Sequence, residues 1–273
     1  NVRVGDTPQW MQDRLAVCGI NSINNIVDTA NYVMLDMVQP LHAFDADKIV
    51  GGITVRRAKT RENIVTLDGA AYALNEDDLV IADDAGVLAI AGIKGGKRAE
   101  VTRDTKNIIL ESANFTPELI ERTAKKINLL TDAAVRFRVG IDSNLTVQAI
   151  NEAAALIQQI AGGLVVKGIL DTGKDKPERT IAFRKEKADS VVGVEIPEKE
   201  IITIFKRLGL VATKQKGILK VRTPSIRVDL QTEEDLIEEL TRMYGLMNLK
   251  PVPPRIAFAS AGDSQREKFH MRV

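Results

Sequence analysis

The chain has 273 residues, and its 38 Lys and Arg nearly balance 37 Asp and Glu, giving a formal net charge of +1. The length allows one large domain or two ordinary ones, and no apolar run reaches the roughly 18–20 residues that a membrane-spanning helix needs. A single cysteine, Cys18, excludes an intrachain disulfide framework and a cysteine-based zinc finger, while net charge alone gives no reason to expect nucleic acid.

The start of the chain shows no sign of export. It begins Asn1-Val2-Arg3 rather than with Met, and no positively charged leader precedes an apolar stretch. The simplest interpretation is an internal piece of a longer polypeptide. With a reduced cysteine and no export signal, we expect a cytoplasmic location.

Helix and strand signals alternate over residues 1–172. Capping residues, apolar periodicity and turn residues predict helices at both ends of this region and short strands between them. In chain order we predict a helix from Thr7-Pro8 with Thr as the N-cap, a helix over 22–37, strands between Gly52 and Leu110 with a hairpin loop at 83–86, and helices from Thr116-Pro117 and over 143–161.

A polar stretch at 171–178, which contains Gly and Pro, is the predicted domain boundary. The elements predicted after it are a strand near Ile181, a helix over 197–208, a hairpin around Gly217 and a helix over 232–244. This order suits a compact helix-plus-wing unit. We therefore predict an α+β fold with a mixed domain at 1–172, a small helix-turn-helix or winged-helix-like domain at 173–250, and a linker or the start of a further domain at 251–273.

Residues 91–97 read Ala-Gly-Ile-Lys-Gly-Gly-Lys and suggest a phosphate-binding loop. The spacing fails that pattern, and Arg98 stands where Ser or Thr is required. A strand that ends in a glycine loop is therefore favoured. The three glycines still let backbone N–H groups approach a ligand closely, so a binding loop stays open as an alternative.

Two polar residues beside apolar segments are candidates for chemistry. His42 lies in a predicted loop, near Asn31 and Asp45 in sequence, and is either a hydrogen-bonded structural residue or a catalyst. Glu111 follows the apolar strand 108–110 and is either exposed or buried, in which case it needs a partner. No Ser or Cys lies in a nucleophile motif, so any hydrolysis would use an oriented water.

The predicted second domain concentrates charge of both signs. Asp235, Glu238 and Glu239 share one face of the helix at 232–244, with Asp229 shortly before it. They form either a solvated face that favours the helix dipole or a site for a hard cation such as Mg²⁺. Seven Lys and Arg between 206 and 227, with no acid among them, either contact phosphate or are ordinary solvated side chains.

Several long strings of this sequence are specific enough to indicate a family. They are VCGINSINNIVDTANYVMLDMVQPLHAFD (17–45), TLDG (66–69), DDLVIAD (77–83), AGIKGG (91–96), NIILESANF (107–115), TDAAVRFRVGID (131–142) and PSIRVDLQTEEDLIEELTRMYG (224–245). In this order and approximate spacing the chain resembles the editing module and the following small domain of the bacterial-type phenylalanyl-tRNA synthetase β subunit. The resemblance covers essentially the whole chain.

This resemblance implies hydrolysis of tyrosine wrongly esterified to tRNA for phenylalanine, in a site separate from synthesis. An apolar synthetic pocket rejects an added hydroxyl only weakly, by about 10²-fold. A second site that hydrogen-bonds the hydroxyl discriminates better, because phenylalanine would leave its polar groups unpaired. The implied partners are tRNA(Phe), the synthetase α subunit in an α2β2 heterotetramer, and tyrosine as the editing ligand. ATP-dependent aminoacylation would belong only to the intact enzyme.

The resemblance also implies roles for single positions. They are His42 and Asn31 near the scissile ester, Glu111 on the tyrosine hydroxyl, Gly92 and Gly95 lining the pocket with their backbones, Thr131 and Ala133 shaping it, and Asp229, Asp235, Glu238 and Glu239 as ligands of a Mg²⁺ ion shared with the α subunit. Two departures from the family pattern concern Lys94, where Met is usual, and Arg138-Val139, where Glu-Arg is common. The competing hypothesis is a non-catalytic scaffold for tRNA binding and subunit assembly.

Overall fold

The computed structural model describes residues 1–173, 178–249 and 271. The chain divides into two compact units, one made of residues 1–180 with 222–231 and the other of 181–221 with the chain from 232 onward. Residues 222–231 thus cluster with the first unit, although they follow the predicted boundary by some 50 positions. The linker predicted at 251–273 lies outside the described residues, apart from Met271.

Helices enclose several small antiparallel sheets in the first unit, as expected for an α+β fold. The helices are α1 (Gln9–Val17), α2 (Asn25–Met37), α3 (Pro117–Lys126), α4 (Asp132–Val139) and α5 (Leu145–Ala161). The strands are β1 (Leu41–Asp45), β2 (Thr54–Arg57), β3 (Asn63–Val65), β4 (Ala71–Ala73), β5 (Leu79–Asp83), β6 (Gly86–Ile90), β7 (Lys94–Gly95) and β8 (Ile108–Ser112). The predicted hairpin loop at 83–86 joins β5 to β6.

A capping side chain marks the start of α2, whereas the cap predicted for α1 does not form. Asn24 caps α2, because its side-chain oxygen accepts hydrogen bonds from the backbone N–H groups of Ile26 and Val27. Thr7 was predicted to cap α1, but α1 begins at Gln9 and the Thr7 hydroxyl instead donates to Asp28 at 2.5 Å. The prediction was wrong because Asp28 is fully buried and its carboxylate requires donors.

Strand β1 corrects the loop predicted around His42. It pairs with β8 in an antiparallel ribbon, in which His42 lies directly opposite Glu111 and Phe44 opposite Ile109. The two strands are more than 60 positions apart in the chain, so the pairing depends on contacts that sequence-local signals do not carry. The remaining strands form a four-stranded sheet in the order β2-β5-β6-β7 and the small pair β3-β4.

The two faces of the β1–β8 ribbon pack against different layers. Leu41, Ala43 and Leu110 on one face pack with apolar residues of α2 and α5. On the other face, Phe44 belongs to the main core, which takes its residues from β5, β6, α3 and α4. Since opposed residues of an antiparallel pair share a face, His42 and Glu111 lie on the Phe44 side, toward the four-stranded sheet.

The second unit contains helices α6 (Lys185–Val192), α7 (Glu198–Arg207) and α8 (Glu233–Tyr244). Strands β9 (Arg179–Phe183), β10 (Val211–Gln215) and β11 (Ile218–Thr223) form a three-stranded sheet in the order β10-β11-β9. Most of their residues belong to the second unit, while the first two of β9 and the last two of β11 cluster with the first. The tight turn between β10 and β11 is the hairpin predicted around Gly217, whose φ of +82° suits glycine. Phe183 and Phe205 meet edge to face in its core.

Candidate active site on the β1–β8 ribbon

The centre of the candidate site is the cross-strand pair His42 and Glu111. Both side chains are partly buried and project from the same face of the ribbon. Among the residues that the structure describes, neither side chain has a hydrogen-bond or ion-pair partner. The partner that a buried Glu111 was expected to need is thus missing from these residues, and the carboxyl instead favours its neutral form.

Burial shifts both titrations in opposite directions. It raises the pKa of Glu111 to about 7 and lowers the pKa of His42 to about 4. At neutral pH the imidazole is therefore uncharged and able to accept a proton, while the carboxyl is divided between its two forms. Strongly shifted pKa values of neighbouring unpartnered groups are typical of functional sites.

The glycine strand β7 fixes the position of the imidazole. A Cβ at Gly95 would lie 2.5 Å from Cε1 and 2.8 Å from Nε2 of His42, so only glycine lets the backbone approach this edge of the ring. The ring also meets Phe44 edge to face, with centroids 4.5 Å apart. Gly95 therefore contributes to the site by its lack of a side chain.

Gly92 is needed for a different reason. Its φ is +67°, and a Cβ there would lie 2.9 Å from side-chain carbons of both Ile120 and Phe115. The space where a Gly92 side chain would lie is thus filled by the main core. Packing alone accounts for this glycine, and its role in lining a pocket stays a prediction.

Thr131 links the glycine loop to α4. Its hydroxyl donates to the carbonyl oxygen of Ile93 at 2.7 Å and accepts from the backbone N–H of Ala134, which makes it the N-cap of the helix. Ala133, in the first turn of α4, is partly buried and packs against the main core. These contacts hold α4 and the loop before β7 together, and the pocket-shaping roles of both residues remain predictions.

Asn31 lies on α2, which packs against the opposite face of the ribbon through residues such as Val33 and Ile26. No hydrogen bond joins its side chain to His42 or Glu111, all of which are within the described part of the chain. Its proximity to the reacting ester, inferred from the family resemblance, stays a prediction.

Three of the four predicted magnesium ligands accept hydrogen bonds from groups of this chain. The Asp229 carboxylate accepts a hydrogen bond from Arg227 at 2.6 Å, and the Glu239 carboxylate accepts one from Arg242 at 2.7 Å. Asp235 accepts a hydrogen bond from the Thr232 backbone N–H at 2.7 Å, as part of a capping box. The fourth residue, Glu238, is exposed. In residues 1–173, 178–249 and 271, no group of three or more His, Cys, Asp or Glu is arranged to hold a metal ion. The four residues fall in different units, Asp229 in the first and the other three in the second, and their magnesium role stays a prediction.

Ion pairs also engage part of the basic stretch at 206–227. Lys214 pairs with Glu198 at 2.7 Å, Arg222 with Glu178 at 3.2 Å, and Arg227 with Asp229. These contacts are the ordinary solvated pairs of a protein surface. Phosphate binding by this stretch remains untested.

Two contributors to the site were missed in the sequence. Phe44 supports the His42 ring, and Leu67 reaches within 3.1 Å of the position of a Gly95 Cβ, on the same side as His42. Residues 41–45 show no strict alternation of apolar and polar residues, but the two-residue period of a strand places His42 and Phe44 on one face. Leu67 lies in the TLDG string at 66–69, but that string assigned it no role.

Within its described part, the chain contains no helix that is long and apolar enough to cross a membrane.

The sequence matches the B3/4 domain family over residues 1–162 and the tRNA synthetase B5 domain family over residues 181–246.

Curated relatives extend these matches. The chain is 39% identical to the phenylalanine–tRNA ligase β subunit of Geobacter metallireducens over 273 residues, which are 99% of this chain and 34% of the relative. It is 42% identical to the same subunit of Vibrio parahaemolyticus, over 94% of this chain and 32% of the relative. It is 44% identical to that of Protochlamydia amoebophila, over 90% of this chain and 31% of the relative. The chain therefore spans only 31–34% of these relatives' lengths.

A crystal structure of an N-terminal fragment of the phenylalanyl-tRNA synthetase β subunit from Pyrococcus horikoshii covers 81% of this chain and 65% of that one. Its TM-score of 0.41 and identity of 18% are too low to inform the site. The B3/4 match precedes the B5 match along the chain, and the matches to the curated relatives span both. The chain belongs to the phenylalanine–tRNA ligase β-subunit family, of which it carries a B3/4 domain followed by a B5 domain.

Proposed function

We propose that the first unit is a hydrolytic editing site, which removes tyrosine wrongly esterified to tRNA(Phe). The observation that carries this proposal is the pair His42 and Glu111, unpartnered and facing each other across the ribbon with pKa values shifted in opposite directions. The match to the tRNA synthetase B5 domain family and the similarity to phenylalanine–tRNA ligase β subunits support the link to aminoacyl-tRNA. Aminoacylation, its ATP, and association with an α subunit are proposed for the whole ligase rather than for this chain.

Glu111 supplies the discrimination in this proposal. A partly buried carboxyl with no protein partner forms a hydrogen bond with the phenolic hydroxyl of tyrosine, either as acceptor or, when protonated, as donor. Phenylalanine offers no such group, so its binding would leave Glu111 desolvated and unpaired. Such a site rejects the analogue that lacks the hydroxyl far more strongly than an apolar pocket rejects the one that adds it.

His42 supplies the chemistry. Because its imidazole is neutral at physiological pH, one ring nitrogen accepts a hydrogen bond from water and orients it toward the ester carbonyl. Water attack breaks the bond between the aminoacyl carbon and the ribose oxygen, and the proton given up by the water ends on the departing hydroxyl. No side chain needs to form a covalent intermediate. Asn31, Gly92, Thr131 and Ala133 are assigned to the pocket by family resemblance.

Magnesium binding by Asp229, Asp235, Glu238 and Glu239 is supported only by that resemblance. The carboxylates of Asp229, Asp235 and Glu239 accept hydrogen bonds within this chain. A Mg²⁺ ion would therefore require them to rearrange, with further ligands from another subunit. No step of the proposed hydrolysis uses it.

The test is the release of tyrosine from tyrosyl-tRNA(Phe) by the full-length protein in its native complex. We expect wild type to hydrolyse the ester and His42→Gln to slow hydrolysis by about 10²–10⁴-fold, the usual contribution of a positioned general base. Glu118→Gln, which changes an exposed glutamate on α3, is the control and should match wild type. If wild type releases no tyrosine but still binds tRNA, the scaffold hypothesis replaces editing.

A further inference from the structure

The turn at 66–69 is attached to the glycine strand beside His42. The Leu67 N–H donates to the carbonyl oxygen of Gly95 at 3.1 Å, and Thr66 forms an isolated antiparallel bridge with Gly96. Within the turn, the Thr66 hydroxyl donates to Asp68 at 2.5 Å and the Gly69 N–H to the Thr66 carbonyl at 2.8 Å. The turn is thus internally braced, and backbone contacts join it to the strand.

One ion pair joins the turn and the strand through side chains. Lys94 of β7 lies 2.6 Å from Asp68 Oδ2, and the two side chains are 22% and 46% exposed. The hydrogen bond from Lys94 is the largest influence holding the pKa of Asp68 well below its usual range. Lys94 immediately precedes Gly95, so the pair closes just beside the point where the backbone touches the His42 ring.

Leu67 and His42 converge on that point. The position of a Gly95 Cβ is 3.1 Å from Leu67 Cδ1 and 2.5 Å from His42 Cε1, so the leucine side chain lies beside the imidazole. A turn that detached from β7 would take Leu67 away and open this side of the candidate site to water. Leu67 is thus positioned to give apolar contact to a bound substrate beside the imidazole.

We propose that Lys94 is a positioning residue, whose ion pair with Asp68 clasps the 66–69 turn onto β7 and keeps Leu67 in place beside His42. This inference rests on the proposed editing function. Lys94 acts by placement rather than through its charge, because burial alone accounts for the pKa shifts of His42 and Glu111. A loosened wall weakens substrate binding in the ground and transition states alike, which raises KM and leaves kcat unchanged.

The experiment compares Lys94→Met, Asp68→Asn and the charge swap Lys94→Asp with Asp68→Lys in the full-length protein. Lys97→Met is the matched control, since Lys97 is exposed and lacks an ion pair within the described residues. Hydrogen exchange at the Leu67 amide measures attachment of the turn, and exchange at the β5 and β6 amides verifies that each variant is folded. KM and kcat for tyrosyl-tRNA(Phe) hydrolysis measure the consequence.

We expect both single variants to speed Leu67 exchange and to raise KM by about two- to five-fold, the range typical of a partly exposed ion pair, with kcat unchanged. The charge swap should restore both quantities, and Lys97→Met should change neither. Unchanged exchange in Lys94→Met, or a charge swap that fails to restore KM, overturns the inference. If wild type does not hydrolyse the ester, the editing proposal fails instead, while Leu67 exchange still decides whether the clasp exists.

Discussion

Alanine at position 95 tests whether the glycine strand sets the position of the His42 ring. Its Cβ would lie 2.5 Å from Cε1 and 2.8 Å from Nε2, whereas ordinary contacts between carbon atoms are about 3.5–4.0 Å. The ring must therefore move by about 1 Å, which disturbs its contact with Phe44 at a centroid distance of 4.5 Å. A misplacement of about 1 Å costs about 10²-fold in rate.

The fold should survive this change. Overpacking costs about 1–3 kcal/mol, part of which is offset because alanine lowers the entropy of the unfolded chain by about 0.4–1 kcal/mol. We therefore expect Gly95→Ala to lose about 10²-fold in tyrosyl-tRNA(Phe) hydrolysis while its free energy of unfolding falls by no more than about 3 kcal/mol. A deacylation time course measures the rate of hydrolysis, and urea unfolding measures the free energy of unfolding.

Gly52→Ala is the matched control, because Gly52 has no heavy atom within 4 Å of its Cβ position and no positive φ. It should retain wild-type hydrolysis and stability. If Gly95→Ala hydrolyses the ester at the wild-type rate, then the contact between β7 and His42 does not position a reacting group, and the assignment of His42 is wrong.

Three further changes test stability and titration. Gly92→Ala combines a left-handed backbone with a Cβ 2.9 Å from two core side chains, so urea unfolding should show a loss of about 2–4 kcal/mol. Thr131→Val removes the helix cap and the hydrogen bond to the Ile93 carbonyl, so the free energy of unfolding should fall by about 1–2 kcal/mol in the same assay. An unchanged free energy of unfolding would show that these two hydrogen bonds do not stabilise the fold. Between pH 4.5 and 6.5, Glu111 binds a proton on folding and His42 releases one, so their contributions to the pH dependence of stability oppose each other. In urea unfolding measured across this window, the free energy of unfolding should rise more steeply with pH in Glu111→Gln than in wild type. In His42→Gln it should fall with rising pH relative to wild type. Parallel pH curves for the three proteins would contradict the shifted pKa values.

Much of the helical structure was predictable because its signals are local. The helices predicted over 22–37, 143–161 and 232–244 are observed at Asn25–Met37, Leu145–Ala161 and Glu233–Tyr244. Capping residues and apolar periodicity determine these segments with little help from the rest of the chain. The hairpin at 83–86 was equally local, since its turn residues lie between two apolar runs.

The arrangement around His42 was not predictable in the same way. The segment Leu41–Asp45 is a strand only because Ile108–Ser112 pairs with it, and no local signal specifies a partner so distant in the chain. The contact of Gly95 with the imidazole and the clasp between Lys94 and Asp68 depend on the same long-range assembly. Family resemblance supplied the candidate residues, whereas the structure supplies the physical relations among His42, Glu111 and the glycine strand.

The most direct test of the central claim is the ratio of hydrolysis rates for tyrosyl-tRNA(Phe) and phenylalanyl-tRNA(Phe), measured for wild type and Glu111→Ala in the full-length protein. If Glu111 recognises the tyrosine hydroxyl, wild type should prefer the tyrosyl ester by at least about 10²-fold, since the phenylalanyl ester leaves the carboxyl unpaired. The ratio should fall toward one in Glu111→Ala, mainly through slower hydrolysis of the tyrosyl ester. Equal rates for both esters in wild type, or a ratio that the substitution leaves unchanged, would contradict the assignment of this site to editing.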